Sequence, residues 1–164
     1  MEHKQLLTVF NSLPVGIGFF TADGTLVRCN ESFCRIFGAD SQTLLGNKLN
    51  INENSVVPDV VKEAVRRCVP VQMSFLYDFD KQRTDKRFFS TRTRTCYLKC
   101  NGNPLYDNDG KFVNYIFIFE DITETVKSEE VLRQSRRKTE LAMKAANIMF
   151  WEFDAVPKLF YIDN

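Results

Sequence analysis

Histidine is almost missing from this sequence, since His3 is the only one among 164 residues. A haem iron usually takes a histidine as axial ligand, and a histidine kinase phosphorylates a histidine on its dimerisation helix. A single histidine close to the first residue suits neither role, and we expect His3 to be solvated. The sequence therefore argues against haem held through histidine and against the catalytic part of such a kinase.

Long apolar runs and a net charge are also missing. No stretch approaches the roughly 20 apolar residues that span a bilayer, and residues 1–10 lack the apolar core of a signal peptide. We therefore expect a cytoplasmic location, with any membrane anchor of the parent protein outside this segment. The formal net charge is +1, which gives no general attraction to nucleic acid. The basic stretch from Lys81 to Lys99 does not interleave aromatic residues with its charges, so a solvated surface is favoured over an anionic partner.

The five cysteines show no metal-binding spacing and are odd in number, which suits reduced thiols. Cys96 and Cys100 are predicted on one face of a strand, where four residues span about 13 Å. That distance is too long for a disulfide, which needs Cα atoms within about 7 Å. We expect structural thiols, and Cys29 and Cys68 suggest nothing more specific.

The most informative stretch runs from Val113 to Thr123 and reads VNYIFIFEDIT. Side chains alternate between the faces of a strand, so three aromatic residues lie on one face and two isoleucines on the other. Apolar residues on both faces predict the centre of an antiparallel sheet, with helices on one side and another apolar cover opposite. Asp121 and Thr123 end the strand, and a helix is predicted from Glu124.

A helix and a hairpin are predicted at the start of the chain. Residues 3–13 carry apolar side chains at helical spacing, and Pro14 ends the segment. This helix could cover the far side of the central strand. Two strands follow, Val15–Thr21 and Thr25–Cys29, joined by an Ala-Asp-Gly turn.

Two features of this region predict close packing. Gly16 and Gly18 leave one face of the first strand bare, where a side chain or a ligand could approach. Asn30 is a good N-cap, and it begins a predicted helix that ends at Gly38.

The middle of the chain adds short helices and two strands. Short helical turns are predicted over 39–54, and a helix is predicted from Pro58 to about Arg67. Apolar and polar residues alternate from Val69 to Asp80, the pattern of a half-buried strand. Another strand is predicted over Arg87–Cys100, and a turn-rich connection over Asn101–Gly110. Because helices and strands do not alternate regularly, we expect an α+β fold with an antiparallel sheet.

Two motifs resemble the two halves of the PAS sensor-domain family. In the first half, ADGTL at 22–26 is followed by Asn30, which opens a helix that stops at Gly38. In the second half, called PAC, NPLYDNDGK at 103–111 precedes FEDIT at 119–123. The final Asp-Ile-Thr after an aromatic strand is the most specific part of the resemblance.

The resemblance covers roughly residues 6–123. It implies a five-stranded sheet in the order 2-1-5-4-3, with short helices on one face around a small cavity. It also implies a signal-input module, most often in a bacterial sensor histidine kinase. Flavin photosensors of the family react through a cysteine followed by arginine. Cys34-Arg35 has that sequence but lies in an earlier helix, so a flavin photoadduct is disfavoured and Cys34 is expected to be a small buried apolar residue.

Inward side chains of the sheet and of the first helix after the hairpin are candidates for lining a cavity. Aromatic residues and methionine are typical of apolar pockets and equally of a filled core, which we favour. The identity of any ligand stays open. Tyr77 and Tyr97 would supply polar groups in a pocket. The candidate lining residues are Phe33, Phe37, Met73, Phe75, Tyr77, Phe117 and Phe119.

The end of the chain predicts a helical connection to further domains. Residues 124–145 are charged and contain no proline or glycine. Small or weakly apolar residues recur every seven positions from Ser128 to Met149, a weak coiled-coil seam that suits a signalling helix in a dimer, with a solvated linker as the alternative. Residues 145–154 resemble the first strand of a second PAS domain, so we expect a piece of a longer protein. The predicted parts are an N-terminal helix (1–14), a PAS/PAC domain (15–123), a helical linker (124–145) and the start of a second domain (146–164).

These observations predict a non-catalytic sensor and dimerisation module. A signal in the cavity or at an interface would bias the central strand, and Asp121, Ile122 and Thr123 would pass the change to the following helix. We expect a homodimer through the N-terminal helix, the sheet face or the C-terminal helix, and a kinase or other output domain downstream. A protein-interaction PAS domain with a filled core is the first alternative. An enzyme on the same scaffold is the second, although no convergent catalytic cluster is visible.

Overall fold

The structure, a computed structural model, describes residues 2–82 and 90–146. The predicted charged turn and the strand predicted from Arg87 fall partly outside these ranges, as do the side chain of His3 and most of the predicted second domain. The helices are α1 (Glu2–Ser12), α2 (Glu31–Phe37), α3 (Ser41–Gly46), α4 (Asp59–Arg67), α5 (Phe79–Gln82) and α6 (Thr123–Ala145), and the strands are β1 (Gly16–Phe20), β2 (Leu26–Cys29), β3 (Val71–Asp78), β4 (Thr95–Tyr106) and β5 (Phe112–Asp121).

The five strands form one antiparallel sheet in the order β2-β1-β5-β4-β3. The α+β fold and the strand order that the resemblance implied are therefore confirmed. β5 pairs with β1 on one side and with β4 on the other, so the aromatic strand lies at the centre, as its two apolar faces predicted. Phe117 stands opposite Gly18 of β1 and Gly102 of β4. Gly102 leaves room for the Phe117 ring, since a Cβ there would lie 2.4 Å from a carbon atom of that ring.

The core fills the inner face of the sheet, defined here as the face that carries Phe117. α2 packs across β1 and β5, and its closest approach is at Gly16 and Gly18. A Cβ at Gly18 would lie 2.8 Å from the Phe33 ring, so the bare face predicted for β1 is occupied by α2. α3 and α4 contribute Leu44, Val61 and Val65 to the same core.

Among the described residues, α1 covers one end of the outer face of the sheet. The Phe10 ring lies 6.1 Å from that of Phe19 in β1, and the guanidinium of Arg28 in β2 lies 5.1 Å above the Phe10 ring. These contacts lie over β1 and β2 rather than over the central strand, where we predicted this helix. Ile116 and Ile118 of β5, on the outer face, are half-buried.

Two strand boundaries differ from the prediction. β3 ends at Asp78, because the Asp78 carboxylate accepts hydrogen bonds from the backbone N–H groups of Asp80 and Lys81, both at 3.0 Å, and so caps α5. β4 begins at Thr95 and continues to Tyr106, through the segment that we predicted as turns.

α6 follows β5 after one residue, as predicted for the Asp-Ile-Thr end of the strand. Contacts divide the chain after Val126, so only the first turn of α6 belongs to the sheet-containing unit. None of the helices among the described residues is long and apolar enough to cross a membrane.

Candidate functional site

A small cavity lies in the core beneath α2. Its volume is about 20 Å³, which is room for about one water molecule. Pockets that bind drug-sized molecules measure roughly 300–1,000 Å³, so the space is nearly filled by side chains. The lining residues are Phe20, Phe33, Phe37, Leu49, Asn50, Ile51, Asn54, Val57, Val61, Phe75, Tyr77 and Phe119.

Five of the seven candidate lining residues border this cavity: Phe33, Phe37, Phe75, Tyr77 and Phe119. The structure places the other two elsewhere in the core. Met73 is partly buried and packs at the edge of the core. Phe117 is fully buried and stacks on Tyr115, with ring centroids 4.8 Å apart. Tyr97, which we considered as a polar group of the pocket, is 39% exposed, because it alternates along β4 with buried Cys96 and Leu98 and so faces outward.

A buried hydrogen-bonded group provides the polar side of the cavity. The Tyr77 hydroxyl donates to Oε1 of Gln82 at 2.6 Å and accepts from Nδ2 of Asn54 at 3.1 Å. All three side chains are buried. Sequence patterns identified neither Gln82 nor Asn54, since a polar residue in a segment predicted as a turn or as short helical turns carries no signal that it will point inward.

Asn30 connects the end of α1, the start of β1 and the start of α2. Its Oδ1 accepts from the N–H groups of Ile17 at 2.8 Å and Phe33 at 2.9 Å, and the second of these bonds caps α2. Its Nδ2 donates to the carbonyls of Phe10 at 3.0 Å and Val15 at 2.9 Å. Every hydrogen-bonding position of this buried amide is therefore used. The sequence predicted only the capping bond.

Arg92 bridges α2 and the end of β5. One guanidinium nitrogen donates to the carbonyl of Ile36 at 2.9 Å, and the other to the carboxylate of Asp121 at 2.9 Å. Ile36 lies in the last turn of α2, where carbonyls lack partners within the helix. We predicted Arg92 on a solvated strand face, but it precedes β4 and holds together two elements of the candidate site.

The Asp-Ile-Thr segment joins the strand to α6 by side-chain bonds. The Asp121 carboxylate accepts from the N–H of Thr123 at 3.1 Å and from its hydroxyl at 2.6 Å. The Thr123 hydroxyl oxygen accepts from the N–H of Tyr97 in β4 at 2.9 Å. Ile122 adds a backbone bond to the carbonyl of Tyr97 at 2.9 Å. The first residue of α6 is thereby tied to the central strand β5 and to its neighbour β4.

The pKa of Asp121 reflects these contacts. Burial alone would raise it, but hydrogen bonds from Thr123 and the charge of Arg92 hold the pKa below the usual carboxyl value. Because the folded-state pKa is lowered, the network stabilises the fold above the pKa of an unfolded aspartate. That contribution is lost as the pH falls through the folded value.

The cysteines are free thiols, two of which are in contact. The Sγ atoms of Cys29 and Cys34 lie 3.8 Å apart, and both residues are half-buried. Cys96 and Cys100 are buried, and burial raises the pKa of their thiols to about 11 and about 12. In the part of the chain that the structure describes, no three His, Cys, Asp or Glu residues are grouped as for a metal.

Comparison with known proteins agrees with this architecture. The family described as PAS fold matches residues 10–127. Probable diguanylate cyclase DgcE of Escherichia coli K12 is 22% identical over 150 residues, which are 92% of this chain but only 13% of that protein.

Solved structures share the fold at low sequence identity. An RNA-binding light-oxygen-voltage receptor superposes with a TM-score of 0.61 and 17% identity, over 85% of this chain and 38% of its own. A PAS domain from Colwellia psychrerythraea superposes with a TM-score of 0.57 and 15% identity, over 76% of this chain and 99% of its own. A PAS domain from a two-component sensor histidine kinase superposes with a TM-score of 0.54 and 14% identity, over 73% of this chain and 96% of its own. Since the family match covers more than half of the sequence, the chain belongs to the PAS fold family.

Proposed function

We propose that this domain is the sensory input module of a longer signalling protein and that it passes a change at α2 to the start of α6. Domains of this family generally serve as non-catalytic sensory modules. The observation that carries the proposal is the Arg92 bridge, which binds a carbonyl of α2 and the carboxylate of Asp121 through one guanidinium.

The route begins at the cavity. Phe33 and Phe37 project from α2 into the lining, so whatever enters or leaves that space displaces α2. The carbonyl of Ile36 moves with the helix, and Arg92 follows because its planar guanidinium holds two partners in a fixed geometry. Asp121 then transfers the shift to Thr123, the first residue of α6.

The input is a ligand or an interface contact that favours one position of α2. The cavity of about 20 Å³ admits no more than a water, so a larger ligand binds only if the lining separates. Such a ligand shifts the equilibrium by its difference in affinity for the two states. It would be small and apolar, with one polar group directed to Asn54 and Tyr77.

Amide hydrogen exchange at Val126 tests the route. The Val126 N–H bonds to the carbonyl of Ile122 at 2.9 Å and reports the first turn of α6. Phe37→Leu is expected to speed this exchange roughly fivefold, which corresponds to a coupling of about 1 kcal/mol. In the Arg92→Met background the same substitution should change exchange less than about twofold, because the bridge is gone.

Arg94→Met is the matched control, since it removes the same charge from an exposed side chain two residues away and should preserve the fivefold effect. Exchange at Leu98, fully buried in β4, corrects for any change in overall stability. A Phe37→Leu effect of equal size with and without Arg92 would exclude the bridge as the route.

The output domain lies outside this chain. The resemblance implies a histidine kinase, and a kinase PAS domain is among the similar structures. The relative DgcE is named as a probable diguanylate cyclase. We therefore propose that the domain regulates an enzyme of one of these two classes.

We also propose that the module works as a homodimer. Each of the three predicted surfaces carries an apolar side chain: Leu6 of α1 and Leu132 of α6 are exposed, and Ile118 on the outer sheet face is half-buried. Glutamate placed in the true interface should weaken dimerisation by roughly tenfold or more, because it buries an unpaired charge. Light scattering after size exclusion of Leu6→Glu, Ile118→Glu and Leu132→Glu identifies the surface, with exposed Val60 of α4 changed to glutamate as control. If the chain without substitutions is monomeric at all concentrations, the proposal is contradicted.

A further inference from the structure

Two thiols are held in contact by the geometry of a helix start. Cys29 ends β2, Asn30 is the N-cap of α2, and Cys34 lies four residues beyond the cap, with its Sγ 3.8 Å from that of Cys29. Side chains at these two positions commonly pack together and fix the direction in which the chain enters a helix. Apolar residues usually occupy both positions, whereas here both are cysteines. The cap itself is rigid, since Asn30 is fully hydrogen-bonded.

We propose that Cys29 and Cys34 are the site of a reversible disulfide that links the end of β2 to α2. An S–S bond is about 2.05 Å long, so the two sulfurs need to approach by less than about 2 Å, a distance that side-chain rotation can supply. The remaining cysteines differ from this pair: Cys96 and Cys100 are buried on β4. Cys68 lies at the end of α4, where its thiol donates to the carbonyl of Val65 at 3.7 Å.

The reaction balances with a glutathione-type disulfide as oxidant. The thiolate of one cysteine attacks a sulfur of oxidised glutathione, which forms a mixed disulfide and releases one glutathione thiolate. The other cysteine then attacks the mixed disulfide and releases the second. The protein gives up two electrons and two protons, and one molecule of oxidised glutathione takes them up and becomes two molecules of reduced glutathione.

The local environment makes this pair slow to react but not inaccessible. Burial raises the pKa of the Cys29 thiol to about 12, and burial also raises that of Cys34. Few thiolates are therefore present at neutral pH. Both residues remain partly exposed, so a small disulfide can reach them. An equilibrium measurement is consequently more informative than a rate.

Tryptic peptides of the 164-residue chain give an unambiguous test. Cleavage after Arg28 and Arg35 releases CNESFCR, residues 29–35, which holds both cysteines, while Cys68, Cys96 and Cys100 fall in three other peptides. The chain is equilibrated with mixtures of oxidised and reduced glutathione, quenched with acid, unfolded and treated with N-ethylmaleimide before digestion. We expect peptide 29–35 without maleimide and lighter by two hydrogen atoms, with the other three cysteines labelled.

Folding should favour this disulfide. The equilibrium constant for its formation should be roughly tenfold or more above that of the same chain in urea, because the folded chain already holds the sulfurs in contact. Cys68→Ala, the control, should leave peptide 29–35 unchanged, and Cys34→Ala should leave Cys29 free to accept maleimide. Two maleimides on peptide 29–35 in the folded chain, or equal constants with and without urea, would overturn the assignment. The test is independent of the signalling role proposed for α2.

Discussion

Replacing Phe117 by alanine is expected to lower the free energy of unfolding by about 3–5 kcal/mol. The side chain is fully buried at the centre of the sheet. Its ring stacks on Phe119 and meets Phe20 edge-on, with centroids 5.6 and 5.5 Å apart. The cavity left by the deletion cannot close, because β5 is held by a neighbouring strand on each side and does not move inward. Urea denaturation measures the loss in the free energy of unfolding, and the slope of that free energy against urea concentration should be unchanged.

Ile118→Ala is the matched control for this prediction. Ile118 is the next residue of β5, but its side chain is only half-buried on the outer face, so its loss should cost about 1 kcal/mol. Phe117→Leu, which keeps most of the volume, should cost about 1–2 kcal/mol and shows that the chain still folds. Equal losses at Phe117 and Ile118 would mean that the two faces of β5 are buried alike.

The central strand could be predicted because its evidence is local. The alternation of residues 115–119 determines which side chains share a face, and apolar residues on both faces leave the middle of the sheet as the natural place. The turn that leads into β2 and the N-cap at Asn30 are likewise encoded within a few residues. Their positions in the structure follow from the same short-range rules.

The prediction for the second half of β4 was wrong, because residues that are common in turns form part of a strand here. A Cβ at Gly102 would overlap the Phe117 ring, so glycine is required by a close approach. Pro104 lacks an N–H, but β3 pairs with β4 only as far as Gly102. Pro104 therefore needs a partner on one side only, the side of Tyr115 in β5, which is the position that a strand tolerates for proline.

Long-range polar contacts could not be predicted at all. Arg92 meets Ile36 and Asp121 across 56 and 29 residues, and no periodicity links positions so far apart. The contact of Cys29 with Cys34 is different. Its spacing around an N-cap was visible in the sequence and, through the packing rule for helix starts, could have identified the pair.

Asn30→Ala is expected to lower the free energy of unfolding by at least about 4 kcal/mol, although only a small side chain is removed. The loss of the N-cap costs about 1 kcal/mol. The Ile17 N–H and the carbonyls of Phe10 and Val15 lose their partners in a site that is 1% exposed, and each unsatisfied buried group costs about 1–3 kcal/mol. The end of α1, the start of β1 and the start of α2 should loosen together, which amide exchange over residues 10–17 and 31–34 can detect.

Asn30→Asp separates the hydrogen bonds that the Asn30 side chain accepts from those that it donates. The carboxylate keeps both bonds that Oδ1 accepts, but its second oxygen faces the carbonyls of Phe10 and Val15 and repels them. The start of α2 favours the negative charge by at most about 1 kcal/mol, less than this repulsion in a buried site. The folded-state pKa of the introduced carboxyl group should therefore be raised, so the variant is most stable below the pKa of an unfolded aspartate and loses stability as the pH rises through the folded value. Denaturation of the variant and of the chain without substitutions between acid and neutral pH measures the effect. If the difference between their free energies of unfolding is constant with pH, the Nδ2 group of Asn30 does not hold the two carbonyls.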